Sequence, residues 1–536
     1  MPSTLATVHP EYDEQRCAWA RIRDTYKGQE HIKKLGVDYL PPTTGMAKML
    51  PSGEYQWSKN GLIKYCNYRM RALFPGDMAE MVRTAIGILW NKDATIEVPK
   101  KLEYIKEEAT SEGDSILQLM RDINVEQLLV GRCGLLADLP TKVRRQAARP
   151  YFTMYKAEKI LNWDIGSRGL VPYRQLNLVV LDESENERQP DLSYTYVEKY
   201  LVLSIGNLEP NDVDGSYYYG RFRGVPDLGG DGSVSGVAGS PLFTSAGMQK
   251  AAMNLPFLPF VFINSTHINP RMEAPPHIDL ADLIVSLYQN SANLEQQIHE
   301  QSQETLVIPG GEADKDYAIG VGAVLTPPIN GDAKFIGIEG KGLPEAQKHY
   351  QNKRIQIERR SGQMIDTRSL QRESGESLKT RLAAQTATLS MIAKASGWGL
   401  TRGLKHMAVM VGADPNQVKV KPNVNFLNPE LFAKTLVELM QAKNMGMPLL
   451  DEDIHRLAQE RGVTDKDWET VKRLLKLEPA PMVTSGQITG NPGDKADPKV
   501  IEGESAKIAA KAKAANPTGT SSRGTVRNSK KKASSK

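Results

Sequence analysis

His299-Glu300 opens the spacing with which one helix holds zinc, two histidines four apart with a glutamate beside the first. Position 303 is Gln303, so the second ligand is missing. A phosphate-cradling loop needs a glycine five residues ahead of Gly-Lys and a hydroxyl residue after it. Around Gly340-Lys341 those places hold Phe335 and Gly342. Gly232-Ser233-Val234-Ser235-Gly236 has the glycines of a nucleophile elbow, but Val234 stands where the serine must be. Gly320-Val321-Gly322 is a lone GxG of no specificity. His267 and His277, the nearest pair among eight scattered histidines, share no helical face and read as structural. Asp451-Glu452-Asp453 heads a helix, where acids complement the dipole, and reads as a cap. No catalytic constellation, cofactor site or metal site emerges, and the expectation is a protein that is not an enzyme.

Cys17, Cys66 and Cys133 are isolated, with no CxxC spacing. That argues against a disulfide scaffold or a cysteine zinc site and suits a reducing cytoplasm. The 536 residues correspond to three or four folding units. At 40% hydrophobic and 24% charged, the composition is that of a globular chain with a real core. No window is long and apolar enough for a membrane span, and residues 1–20 lack the pattern of a secretory signal. The net charge is +5, but it is unevenly placed. From Ser505 onward there are nine basic residues, Lys530, Lys531 and Lys532 among them, and no acid. Removing those nine leaves 59 basic against 63 acidic residues, so the body carries −4. The tail reads either as a nucleic-acid or acidic-surface binder or as a solvated extension.

The elements come from periodicity. Helices are expected over Tyr12–Tyr26, Met78–Trp90 and Ser115–Gly131, and strands over Gly134–Leu139, Tyr151–Tyr155, Leu176–Asp182 and Tyr194–Ser204, the last three in one sheet. Residues 215–247 hold nine glycines and read as a long excursion before a buried strand at Phe257–Ile263. After Pro275-Pro276, Asp279 is placed to cap a helix to about Gln303. Its apolar seam, Leu280, Ile284, Leu287, Leu294 and Ile298 with Ser291 in line, repeats every seven residues, while the rest is rich in Asn and Gln. It is either a plain core helix or one packed beside copies of itself around a wet lumen, with Ser291, Asn293 and Gln297 at subunit contacts or the lumen. Short β pieces follow over 305–340, then a thinly apolar helix from Pro344 to Ser361. The helix–β–helix arm therefore needs partners. A polar stretch, Met364–Glu373, leads to a long helix, Gly375–Val411, with a bend expected near Gly397 and Gly399. Then come a strand at Val418–Phe426 and three helices ending at Leu477. From Pro479 the composition predicts disorder.

Several segments in this order carry a resemblance: NVEQLLVGRCGLLADLP at 124–140, RPYFTMYKAEKILNWD at 149–164, LNLVVLDE at 176–183, PFLPFVFIN at 256–264, then Pro275–Gly310, Glu373–Ala393 and Asn425–Val463. Together they span about 60 to 475, and the chain resembles the portal proteins of tailed phages, the head-to-tail connectors, in a branch common in short-tailed phages. No single motif is diagnostic; the specificity lies in order and spacing. The long N-terminal region departs from other portals.

The resemblance implies an α+β, portal-type multidomain protomer in a ring of about twelve copies. An α/β wing would take residues 1–274, a first stem helix 275–304, a small β clip 305–342 and a second stem helix 343–363. The tunnel loop would be 364–374, a long helix 375–417, a helical crown 418–478 and a basic tail 479–536. It further implies transient double-stranded DNA contacts from Arg368, Gln371 and Arg372, and subunit packing through Leu280, Ile284, Leu287, Ser291, Leu294 and Ile298. Implied partners are the terminase large subunit, the major capsid protein or scaffold, and tail adaptor proteins, with no membrane and no cofactor. The place would be the capsid vertex of the virion, after assembly in the host cytoplasm, and the role DNA packaging, retention and ejection. The rival reading is another virion structural protein, such as a head–tail adaptor or capsid-associated protein.

Overall fold

The computed structural model describes residues 5–139, 149–166, 175–206, 215–223, 225–228, 234–238, 247–251, 255–302, 305–307, 324–325, 334–336, 342–362, 375–424, 426, 437, 439–448, 450–460, 464 and 466–477. Its helices are α1 (Pro10–Lys27), α2 (Gln29–Leu35), α3 (Gly61–Arg71), α4 (Asp77–Leu89), α5 (Ile116–Leu129), α6 (Ile278–Gln301), α7 (Leu343–Gly362), α8 (Gly375–Met410), α9 (Asp451–Glu460) and α10 (Trp468–Leu477). The strands are β1 (Ala47–Met49), β2 (Tyr55–Trp57), β3 (Thr95–Glu97), β4 (Arg132–Asp138), β5 (Tyr151–Lys156), β6 (Ile160–Gly166), β7 (Gln175–Asp182), β8 (Glu185–Arg188), β9 (Tyr194–Val197) and β10 (Lys199–Ile205). They continue as β11 (Tyr217–Arg223), β12 (Val225–Leu228), β13 (Val234–Ala238), β14 (Gln249–Lys250), β15 (Phe260–Asn264), β16 (Thr305–Val307), β17 (Val324–Leu325), β18 (Lys334–Ile336) and β19 (Lys419–Lys421). The chain is α+β, in two units, residues 1–438 and 439–536.

Local signals explain the main helices of the first unit. Pro10 sits in the first turn of α1, the His9 ring accepts from the Glu11 backbone N–H at 3.2 Å, and Gly28 at φ +87° ends the helix. Ser115 caps α5 by accepting from the Gln118 backbone N–H. Two sheets build the core of this unit, a five-stranded antiparallel one, β14-β11-β10-β7-β6, and a three-stranded one, β15-β4-β5. Phe152, Trp163, Leu201 and Phe262 form a core between these sheets, α5 and the second half of α8. A second core joins α1, α3, α4 and α6 through Trp19, Ile22, Tyr65, Met78, Ile284 and Tyr288, and takes Leu389 and Ile392 from α8. One helix thus serves both halves.

The glycines of α8 lie where other elements pack closely on the helix. The helix is continuous over Gly375–Met410. A Cβ at Gly399 would meet Ile263 at 2.5 Å, and one at Gly403 would meet Phe152 at 2.8 Å. Glycine there lets the helix lie close on β15 and β5.

The expected single sheet over 151–204 is also corrected. Strand β5 pairs with β4, β7 pairs with β10, and β9 leaves the group to form a hairpin with β8. Alternation marks a strand but not its neighbour, and pairing follows which faces get buried. The strand expected over Val418–Phe426 is only β19, pairing with β3, because Pro422 supplies no N–H to continue the ladder. The β pieces expected between the arm helices occur as β16, β17 and β18, in the order β17-β16-β18.

In the second unit α9 begins with Asp451, Glu452 and Asp453 in its first turn, as a dipole argument requires. It is tied to α10 by His455, whose ring lies 5.3 Å from Trp468. Among the described residues no helix is long and apolar enough to cross a membrane.

Candidate functional site

The arm of α6 and α7 is where sequence and geometry concentrate. Pro275-Pro276 stops the preceding chain, and α6 begins at Ile278, with His277 rather than Asp279 at the cap position and no side-chain capping bond. Asp279 lies inside the first turn with its side chain 84% exposed, near Arg360 at 3.9 Å. The cap expectation fails because the helix starts a residue earlier.

Leu280, Ile284, Leu287 and Ser291 are buried against the protomer's own helices, while Leu294 is half-buried and Ile298 exposed. The seven-residue seam, which the resemblance assigned to subunit packing, is buried over its first four members within one chain. Gln289, Asn293 and Gln296, part of the Asn and Gln excess, have the same explanation. Gln289 Nε2 donates to the Tyr39 carbonyl at 3.0 Å, and the Tyr68 hydroxyl donates to Asn293 Oδ1 at 2.7 Å. The Leu73 backbone N–H donates to Ser291 Oγ at 2.9 Å, and Arg71 donates to Gln296 Oε1. Periodicity could show that α6 has a polar face. It could not show that α3 and the segment beside it supply the partners. Of the residues expected at subunit contacts or the lumen, Ser291 and Asn293 are engaged here, and Gln297 is exposed.

Helix α7 is held at few points. Ile357 is fully buried, Lys353 Nζ donates to Ser286 Oγ at 2.6 Å, and Arg354 lies 3.7 Å from Asp77 at the start of α4. Burial raises the Asp77 carboxyl above its usual range against the pull of Arg354. Lys353 against Ser286 and Arg360 against Asp279 make the two helices antiparallel, with the sheet β17-β16-β18 inserted between them in sequence. Arg368, Gln371, Arg372 and Lys530, Lys531, Lys532 lie outside the described residues.

Two features escaped the sequence reading. Arg23 of α1 donates from Nη1 to Glu126 at 2.9 Å and from Nε to Glu158 at 2.7 Å, clamping α1 to α5 and to the turn before β6. No spacing rule links residues so far apart in sequence. Arg132, at the head of an apolar strand, is 3% exposed and sits 4.4 Å from the Trp163 ring and 4.1 Å from the Phe262 ring. Burial pulls its guanidinium down to about 9, opposed by Glu11. His9 stacks on Trp163 at 4.0 Å, and the two line a cavity of about 280 Å³ with Glu11, Asp164 and Arg271. Among the described residues no cluster of three or more His, Cys, Asp or Glu is placed to hold a metal ion.

Residues 276–410 match the family described as "Domain of unknown function (DUF4055)". That stretch begins two residues before α6 and ends on the last residue of α8. No curated protein matches the chain. Among solved structures, a chain from the neck of a native GTA particle, computed with C12 symmetry, is similar at 12% identity over 72% of this chain and 91% of that one, with a TM-score of 0.35. A chain from the neck of the empty particle, computed with C6 symmetry, is similar over the same shares at 12% identity and a TM-score of 0.36. One from the virion of the native gene transfer agent is similar at 11% identity over 79% and 97%, with a TM-score of 0.34.

Proposed function

We propose that the chain is a virion structural protein of the head-to-tail junction of a tailed phage, and within that class a portal protomer. The observation that carries the reading is the α6–β–α7 arm: an antiparallel helix pair joined by Lys353 and Ser286, pinned to the body by Ile357 and Arg354, with a small sheet inserted between its helices and α8 following. The order of segments that resembles portals supplies the rest. In this reading α6 and α7 are the stem, β16 to β18 belong to the clip, and residues 364–374 face the duplex.

The work is then conduction, not catalysis. Each phosphate that a protein neutralises adds affinity through counterion release, and six to ten such contacts hold a duplex about a thousandfold or more tighter at low salt than at moderate salt. A body carrying −4 avoids that grip, so DNA driven by a terminase motor slides while Arg368, Gln371 and Arg372 touch it only transiently. Terminase, capsid or scaffold, and tail adaptors are the partners of this reading, and the motor's ATP chemistry belongs to terminase.

Electron microscopy of the purified full chain, with its mass by light scattering, is the test. A perforated ring of about twelve copies is the expected result. A solitary globule with no aperture for a duplex in any assembly condition overturns the reading.

A further inference from the structure

The outer face of α3 exposes a row of large apolar side chains. Its inner residues Tyr65 and Tyr68 face α6, but Leu62, Ile63 and Met70 are 54%, 63% and 75% exposed, and Leu73 just beyond is 54% exposed. Large apolar side chains grouped in this way are uncommon on a surface meant to stay wet. The charged residues of the helix itself are all basic. Residues 55–76 contain four basic residues and no acid. Lys64 stands in the exposed face without a partner among the described residues, and Arg69 lies over the Tyr65 ring.

The same protomer carries the opposite charge elsewhere. Residues 107–120 contain four acids and no base, and Glu107, Glu108 and Glu112 are exposed without a basic partner among the described residues. The acidic stretch around β8 differs. Asp182, Glu185 and Glu187 are already paired with Lys159, Lys199 and Arg223. No ion pair among the described residues joins the α3 face to the 107–112 turn.

We infer that the α3 face is covered by a second copy of this chain, which presents its 107–112 turn. The inference rests on the ring reading above and names the contact that closes the ring. Two unlike patches that complement each other make a head-to-tail interface, and a head-to-tail contact that closes by rotation gives a ring, not a dimer. Charge selects the orientation, and the contact takes Leu62, Ile63 and Met70 out of water.

The test uses the full chain and mass photometry, with circular dichroism as the check on folding. Lys64→Glu with Arg69→Glu is expected to weaken assembly about tenfold or more, because like charges then face each other across the contact. Glu107→Lys with Glu108→Lys is expected to do the same. All four changes in one chain are expected to restore rings. Ile63→Asp, which changes the apolar centre, is expected to abolish them in a folded chain. If wild-type rings form and neither charge pair disturbs them, or if the fourfold change fails to restore them, the inference is wrong and the ring reading stands. If the wild-type chain forms no ring, the ring reading itself fails.

Discussion

His277 and His406 show what burial does to single groups. His277 Nε2 and His406 Nδ1 are buried without hydrogen-bond partners. Burial pulls His277 down to about 4, and burial with the nearby Arg402 charge pulls His406 down to about 3. Both are neutral in the fold and would gain a proton on unfolding below about 6.5, so the unfolded chain binds more protons and stability falls as pH falls. Between pH 7 and pH 5 each histidine is expected to cost about 2 kcal/mol. Urea midpoints across that range check it; a flat profile rejects it. Arg23 gives a second residue-scale prediction. Arg23→Ala leaves Glu126, itself 4% exposed, without its counter-charge. It is expected to cost about 3 kcal/mol in chemical denaturation, whereas Arg16→Ala on the exposed side of α1 should change stability by less than about 0.5 kcal/mol.

At the scale of elements, α6 is polar because α3 needs it to be. Tyr68→Phe removes the hydroxyl that Asn293 accepts and should cost about 1 kcal/mol. Ile284→Ala opens space in a fully buried site and should cost about 2–5 kcal/mol. In α8 the tight contact is with the sheets. Gly403→Leu pushes a side chain against Phe152 and should destabilise by about 1–3 kcal/mol despite better helix propensity; a variant more stable than wild type would refute the close-approach account. The longer helices were legible, though α2 and α3 were not: Pro10 with Gly28, Ser115, and the 3–4 spacing around Met81 and Ile86 are local signals. The partners of those helices were not, because hydrogen bonds such as Tyr68 to Asn293 connect residues that periodicity treats as unrelated.

For the whole molecule the proposed conduit makes its own demand. Arg368→Ala with Arg372→Ala should impair DNA packaging or retention in particles while leaving ring assembly intact; unchanged packaging and retention would remove the support for that loop. The basic tail can be separated from the body by ending the chain at Glu504. If the tail binds DNA, the truncated body should bind duplex more weakly and with a flatter dependence on salt, by about 0.9 in the log–log slope for each lost phosphate contact. Equal slopes would assign the tail to the solvated alternative. By itself the sequence determined the longer helices but not α2 or α3, about half of the strands, the α+β class, the helix–β–helix order of the arm and the placement of net charge, since each of these depends on neighbours a few residues apart or on composition. Tertiary structure alone decided which strands share a sheet, that the seam of α6 is spent largely inside one protomer, that Gly399 and Gly403 lie against Ile263 and Phe152, and that Arg23 is half-buried between two carboxylates while Arg132 is buried. Those outcomes depend on which surfaces meet when distant segments pack, and a periodic pattern records only that a surface wants cover, never whose.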